Sequence, residues 1–168
     1  MYLKIETPRL QIRPIDISDA DFMLELLNSE GWLKFIGNRN IKRKVEAEEY
    51  IQNILDKPSS YCHIFELKSI PKAIGIITFL QRDTQQYPDL GFAMLPEYEG
   101  KGYALEANKA YLSEIIKSQL YSKIIAIAIK ENSQSIKLIE KLGMRYETDC
   151  QESDTVKLAL YGLSAKAE

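Results

Sequence analysis

Residues 89–107 read DLGFAMLPEYEGKGYALEA, and this stretch decides the fold. Its first part, residues 90–95, is apolar and predicts a strand. Pro96 ends that strand, because proline has no N–H to donate to a sheet. Gly100 and Gly102 follow two positions apart in a short loop. The stretch therefore predicts a strand that turns sharply through a glycine loop.

The glycine loop leads into a segment with helical spacing that begins at Tyr103. Glycines let backbone N–H groups approach a phosphate closely, and a helix N-terminus favours negative charge. The loop is not a P-loop, because Tyr103 follows Gly102 where a Lys-Ser/Thr pair would be needed. It is not a Rossmann fingerprint, because the third glycine is missing. Spacing alone leaves two alternatives, a phosphate-binding loop or an ordinary tight turn.

The residues EYEGKGYALEA resemble the acetyl-CoA pyrophosphate loop of the GNAT N-acetyltransferases, usually written Q/R-x-x-G-x-G/A. Glu99, Gly102 and Ala104 hold the three pattern positions. The first position departs from the pattern, because glutamate stands where Gln or Arg is usual. The resemblance identifies the loop as a candidate binding site for a CoA diphosphate.

A second motif lies about 30 residues further on, ENSQSIKLIEKLGM at residues 131–144. It is similar to the second GNAT motif, N-x-x-S/A followed by E-K-L-G-F, with Asn132, Ser135 and Gly143 in place. The opening TPRLQIRPI, which begins at Thr7, is similar to the RimJ/RimL branch, whose members acetylate N-terminal amines of ribosomal proteins. With both motifs in the right order, the chain is identified as a member of the GNAT family.

The chain of 168 residues is expected to form a single domain over residues 1–168. Its net charge of −2 gives no reason to expect nucleic acid as a partner. The longest apolar run, residues 124–129, is too short to span a membrane, and the N-terminus is not a signal peptide. Cys62 and Cys150 stand apart and without a metal-binding pattern. We expect a cytoplasmic protein without a metal site or a disulfide.

The expected fold class is α/β: a GNAT fold with a mixed, mostly antiparallel sheet, flanking helices and splayed central strands. The buried central strand is expected at residues 122–130, because its apolar run is continuous. We predict a helix that Ser18 and Asp21 begin as a capping box, and a loop at residues 31–44. The remaining predicted strands are 3–13, 61–67, 73–80, 90–95, 144–150 and 155–163, and the remaining helices are 47–55, 103–118 and one capped by Asn132 or Ser133.

The resemblance implies where acetyl-CoA, the expected co-substrate, would bind. Backbone groups of Met94 and Leu95 would pair with the pantetheine arm, and Asn132 and Ser135 would line the other side of the cleft. Glu99 is expected to point its side chain to solvent and to contribute only its backbone, since a carboxylate near a diphosphate is repelled. Backbone amides would hold the diphosphate at Glu99, Gly100, Lys101, Gly102, Tyr103 and Ala104.

Two residues are candidates for catalysis. Asp89, at the start of the loop strand, either accepts the proton of the acceptor amine or merely flanks the strand. Many GNAT enzymes donate to the leaving thiolate from a tyrosine, but the matching position here is Ile139. The resemblance to RimJ/RimL enzymes assigns that role to Ser135, whose alternative role is to satisfy a helix amide.

The sequence does not decide the acceptor substrate or the oligomeric state. An amine acceptor is expected, either a peptide N-terminus or a small molecule, and a non-catalytic CoA-binding relative is the alternative. Trp32 and Phe35, among several basic residues, either anchor their loop, form a wall of the acceptor pocket or contribute to a homodimer interface. Lys101 either offsets part of the negative charge or is simply solvated. His63 is expected to be a packed or surface residue rather than a catalytic one.

Overall fold

A computed structural model describes residues 3–153 and 156–165 of the chain. The helices are α1 (Ala20–Leu27), α2 (Glu30–Phe35), α3 (Lys44–Leu55), α4 (Tyr103–Lys117) and α5 (Ser133–Lys141). The strands are β1 (Ile5–Glu6), β2 (Leu10–Pro14), β3 (Ser60–Leu67), β4 (Lys72–Leu80), β5 (Asp89–Met94), β6 (Lys123–Ile129), β7 (Arg145–Ser153) and β8 (Val156–Ser164).

The strands form one mixed sheet in the order β1-β2-β3-β4-β5-β6-β8-β7. Neighbouring strands are antiparallel except β5 and β6, which run parallel and pair at Asp89 and Ile125. This strand arrangement confirms the expected α/β class with a mixed, mostly antiparallel sheet. It also places β6 inside the sheet, as its continuous apolar run predicted.

Helices cover both faces of the sheet, and each face has its own apolar core. Ile64 and Phe65 are adjacent on β3 and fully buried, but they belong to different cores. Because successive strand side chains point to opposite faces, the two cores lie on opposite sides of the sheet. The core around Phe65 includes α4 and α5, and the core around Ile64 includes α1, α2 and α3.

Three sequence predictions in the N-terminal third were wrong in detail. The first strand is broken into β1 and β2. Asp16, rather than Ser18, caps the turn before α1, and the Asp19 carboxylate accepts the Asp16 N–H at 2.9 Å. The predicted loop contains α2, whose N-cap Ser29 accepts the Trp32 N–H. Trp32 is 6% exposed and belongs to the core, which confirms the alternative that it anchors its segment rather than the exposed interface.

The later elements agree with the sequence to within a few residues. Asn132 caps α5, and Gly143 ends it with φ +86°. Thr155, where the last predicted strand begins, lies outside the described residues. Cys62 is a buried free thiol and so forms no disulfide with Cys150, and His63 is buried, where its Nε2 accepts the Leu3 N–H. Among the described residues, no helix is long and apolar enough to cross a bilayer.

A glycine in β4 tests how tightly the sheet is packed. A Cβ on Gly75 would lie 2.1 Å from Cζ of the buried Phe65 and 2.6 Å from the Ala93 carbonyl oxygen. We therefore expect Gly75→Ala to lower the free energy of unfolding by about 1–3 kcal/mol, because neither neighbour can move cheaply. Chemical denaturation measures the change.

Gly31→Ala is the matched control for this substitution. Nothing lies within 4 Å of a Cβ at Gly31, which is in the first turn of α2. Alanine there is expected to be neutral or to stabilise by up to about 1 kcal/mol. Equal stability changes in the two variants would contradict the packing described for β4.

Candidate active site

The central feature of the site is a gap between β5 and β6. The Ile125 N–H donates to the Pro88 carbonyl at 2.9 Å, and Asp89 pairs with Ile125. Beyond that point, no further β5–β6 pair is recorded among the described residues. On β5, alternation turns the backbone groups of Phe92 and Met94 toward the gap, because the residues between them bond to β4. The two strands thus form a V that opens toward their C-terminal ends.

Leu95 does not contribute backbone groups to this gap, contrary to the sequence prediction. Its N–H donates to the Ile74 carbonyl at 2.9 Å, and its carbonyl accepts the Tyr98 N–H at 3.1 Å. Its side chain is 1% exposed. Of the two residues predicted from the resemblance, only Met94 faces the gap, and Phe92 joins it. The sequence pattern did not indicate Phe92, because the alternation depends on the pairing with β4.

The loop after β5 presents a set of free backbone amides, which we call the amide cradle (residues 100–104). Gly100 and Gly102 have φ of +73° and +79°, values that glycine adopts without strain. Within residues 3–153 and 156–165, no amide of the cradle donates to a protein acceptor. The cradle ends in the first turn of α4, where the helix dipole adds positive potential. This geometry is suited to a diphosphate.

Glu99 lies just outside the cradle. Its side chain is exposed, but its N–H donates to the Pro96 carbonyl at 3.1 Å, so the expectation that its backbone would contribute was wrong. Lys101 is exposed, and its Nζ donates to the Glu97 carbonyl at 2.9 Å. The polar groups of the loop are therefore its amides together with the Lys101 ammonium, which is held on the preceding turn.

Asn132 and Ser135 begin α5 on the β6 side of the gap. The Asn132 side-chain oxygen accepts the Ser135 N–H at 3.0 Å, so Asn132 is the N-cap. Ser135 is half-buried, and its hydroxyl makes no hydrogen bond within the described part of the chain. The Ser135 hydroxyl does not accept a hydrogen bond from any of the described helix amides, so it does not have the alternative role. The hydroxyl is free to donate to a ligand.

Asp89 lies where β5 and β6 begin to separate. Its carboxylate is 2.6 Å from Arg82 Nε and 5% exposed, and the Ile127 N–H also donates toward it. Burial raises the pKa of the Asp89 carboxyl above its ordinary value, and Arg82 and Ile127 lower it only in part. No local sequence pattern indicates that Arg82 is the partner of Asp89. A buried carboxyl with a raised pKa is a reasonable proton acceptor.

Comparison with known proteins agrees with this geometry. A profile described as "Acetyltransferase (GNAT) domain" matches residues 9–145, and the chain belongs to this family. The protein YnaD of Bacillus subtilis (strain 168), an uncharacterized N-acetyltransferase, is 29% identical over 146 residues, which cover 86% of this chain and 84% of YnaD. The chain is accordingly an acetyl-CoA-dependent N-acetyltransferase.

Two solved structures have the same fold but different acceptors. The ribosomal-protein-S5-alanine acetyltransferase from Vibrio fischeri has a TM-score of 0.82 at 18% identity, with 97% of each chain covered. The spermidine N-acetyltransferase from Vibrio cholerae, in complex with CoA and spermine, has a TM-score of 0.80 at 17% identity, with 95% of this chain and 97% of that chain covered. The fold alone therefore does not choose between a protein acceptor and a polyamine.

The Asp89–Arg82 pair makes a prediction for the titration of this carboxyl. We expect the pKa of Asp89 to lie above the ordinary value of about 3.9. Arg82→Gln should raise it further, because it removes the nearest cation. NMR titration of the Asp89 carboxyl measures its pKa in the wild-type protein and in Arg82→Gln. Arg82→Lys, which keeps a cation, should change the pKa less, and a fall of the pKa in Arg82→Gln would contradict the ion pair.

Proposed function

We propose that the chain acetylates the α-amine of a peptide N-terminus, as enzymes of the RimJ/RimL branch do. The observation that carries the proposal is the amide cradle beside the open V of β5 and β6. A diphosphate on the cradle directs the pantetheine arm into the V, where the backbone groups of Phe92 and Met94 are available to pair with it. The thioester then lies near Asp89 and α5.

The reaction needs a neutral amine and a stabilised leaving group. The amine nitrogen attacks the thioester carbonyl carbon, a C–N bond forms, and the C–S bond breaks as the thiolate leaves. Asp89 accepts the amine proton through a water molecule. The Ser135 hydroxyl donates a hydrogen bond to the sulfur as its negative charge develops. Ser135 can do this because its hydroxyl has no other partner among the described residues.

The energy of deprotonation favours an α-amine. An amine with a pKa near 8 costs about 1 kcal/mol to deprotonate at pH 7, whereas an amine near 10.4 costs about 4–5 kcal/mol. The buried Asp89 carboxylate is a modest base, because a carboxylate is much less basic than an amine and Arg82 offsets part of the rise that burial causes in its pKa. A site with this base is suited to an α-amine, which is easier to deprotonate than an amine with a pKa near 10.4.

The charge near the acceptor side supports the same choice. The cradle leads into α4 on one face of the sheet, so the acceptor reaches the V from the opposite face, which α1, α2 and α3 cover. Residues 30–44 of that face contain five basic residues and one acidic residue. Arg43 and Lys44 have carboxylate partners, but Lys34 and Lys42 have none among the described residues. Residues 30–44 therefore disfavour a polycation beside them, although residues 20–55, which span α1, α2 and α3, contain six acidic and five basic side chains.

Acetyl-CoA turnover against a panel of amines tests the acceptor class. We expect peptides that begin with Ser, Ala or Met to have a higher kcat/KM than spermidine. Charge reversal by Arg39→Glu with Lys42→Glu should narrow the difference in kcat/KM between peptides and spermidine, because it removes positive charges that repel spermidine. Lys109→Glu, an exposed charge on α4, is the control and should not change it. Faster turnover of spermidine than of every peptide would refute the peptide acceptor.

A single substitution tests the role of Ser135. Ser135→Ala should lower kcat by about tenfold to a hundredfold, because one positioned donor to the transition state is lost. The KM for acetyl-CoA should change little. Ser133→Ala, another serine in the first turn of α5 but exposed, is the control and should keep wild-type kcat. Steady-state thiol release measures both variants, and equal kcat values would exclude Ser135 as the donor.

A further inference from the structure

The turn between β1 and β2 reaches across the protein to the amide cradle. Arg9 Nη1 donates to the Lys101 carbonyl at 2.9 Å, and Arg9 Nε lies 2.6 Å from Glu106 Oε2. The guanidinium also lies 4.5 Å from the centre of the Tyr103 ring. These contacts join residues more than 90 positions apart in the chain. Nothing in the chemistry described above uses Arg9.

The partner carboxylate in α4 is held by several donors. Glu106 Oε1 accepts the Thr7 hydroxyl at 2.6 Å and the Arg9 backbone N–H at 3.0 Å. The Glu106 side chain is 18% exposed. Burial opposes the charged form, but the hydrogen bonds from Thr7 and Arg9 outweigh it and keep the pKa of Glu106 below its ordinary value. The Arg9 side chain is thereby fixed on a charged anchor.

The contact with the Lys101 carbonyl matters because of the geometry of the peptide unit. The Lys101 C=O and the Gly102 N–H belong to one planar trans peptide and point in opposite directions. A donor that holds the carbonyl on one side therefore sets the direction of the amide on the other. Gly102 has φ +79° and could otherwise rotate more freely than any other residue type.

We propose that Arg9 is a positioning residue for the diphosphate site: it holds the Lys101 carbonyl from behind, so that the Gly102 N–H faces into the amide cradle. Arg9 also neutralises Glu106, whose carboxylate in the first turn of α4 would otherwise repel an anion. The inference rests on the proposed function, in which the cradle binds the CoA diphosphate.

Two acetyl donors distinguish this role from a purely structural one. Acetyl-CoA carries the diphosphate, whereas S-acetylpantetheine lacks it and has the same thioester and arm. We expect Arg9→Gln to raise the KM for acetyl-CoA by about tenfold or more, with kcat within about twofold of wild type. The kcat/KM for S-acetylpantetheine should be unchanged, because that donor makes no use of the cradle.

Arg13→Gln is the matched control. Arg13 lies on β2, and its replacement by glutamine removes a 2.7 Å ion pair with Asp19, whose side chain is 6% exposed. It should lower the melting temperature and leave the KM for acetyl-CoA unchanged. Arg9→Lys keeps a charge beside Glu106, but one ammonium cannot reproduce the fixed fork that bridges Glu106 and the Lys101 carbonyl. Its KM for acetyl-CoA should therefore also rise.

The possible failures are separable. The positioning role of Arg9 would be overturned if Arg9→Gln lost kcat/KM equally with acetyl-CoA and with S-acetylpantetheine. It would also be overturned if Arg9→Lys kept the wild-type KM for acetyl-CoA. If Arg9→Gln does not fold, Arg9→Lys alone decides. A wild-type enzyme that uses S-acetylpantetheine as well as acetyl-CoA would overturn the cradle as a diphosphate site, and this inference with it.

Discussion

The site depends on the fact that β5 and β6 pair at one position and then separate. Both strands lie inside the sheet, where backbone groups are normally all hydrogen-bonded, and an unpaired buried group costs about 1–3 kcal/mol. The other edges of β5 and β6 are bonded to β4 and β8. The gap therefore keeps a row of polar groups available along β5, which an extended ligand with amides of its own can pair with, as a third strand would.

The rest of the fold places chemistry around this gap. Pro96 ends β5 and a 3-10 turn follows at Pro96–Tyr98, so the chain enters α4 with its free amides beside the open end of the V. The Asn132 cap begins α5 across the gap and leaves the Ser135 hydroxyl free. Asp89 is fixed at the closed end by Arg82. The proposed donor site and the proposed proton acceptor thus lie at opposite ends of one pair of strands.

The sequence predicted the features that local pattern controls, and missed those that depend on distant contacts. Gly102 and the Asn132 cap could be predicted because turns and helix starts have local rules. The occupied backbone of Leu95 could not, because its partners belong to β4 and to the turn that follows. The Arg9 contact with Lys101 spans 92 positions and has no local pattern. The role of Trp32 was left open between three alternatives, because its burial depends on the residues of α1 and α3 in the same core, which no local pattern shows.

The glutamate at position 99, unusual for the family, is exposed to solvent and has no cationic partner among the described residues. At about 6 Å from a diphosphate in a protein-like dielectric, its carboxylate would cost roughly 2–3 kcal/mol per phosphate charge. Its side chain is instead exposed, and across about 10 Å of water the same repulsion falls below about 1 kcal/mol. Because its N–H is already bonded to Pro96, the residue adds nothing to the cradle. In the proposed diphosphate site the amides of residues 100–104 and the start of α4 would therefore supply the attraction, so the orientation of each amide would matter more than the identity of the residue at position 99.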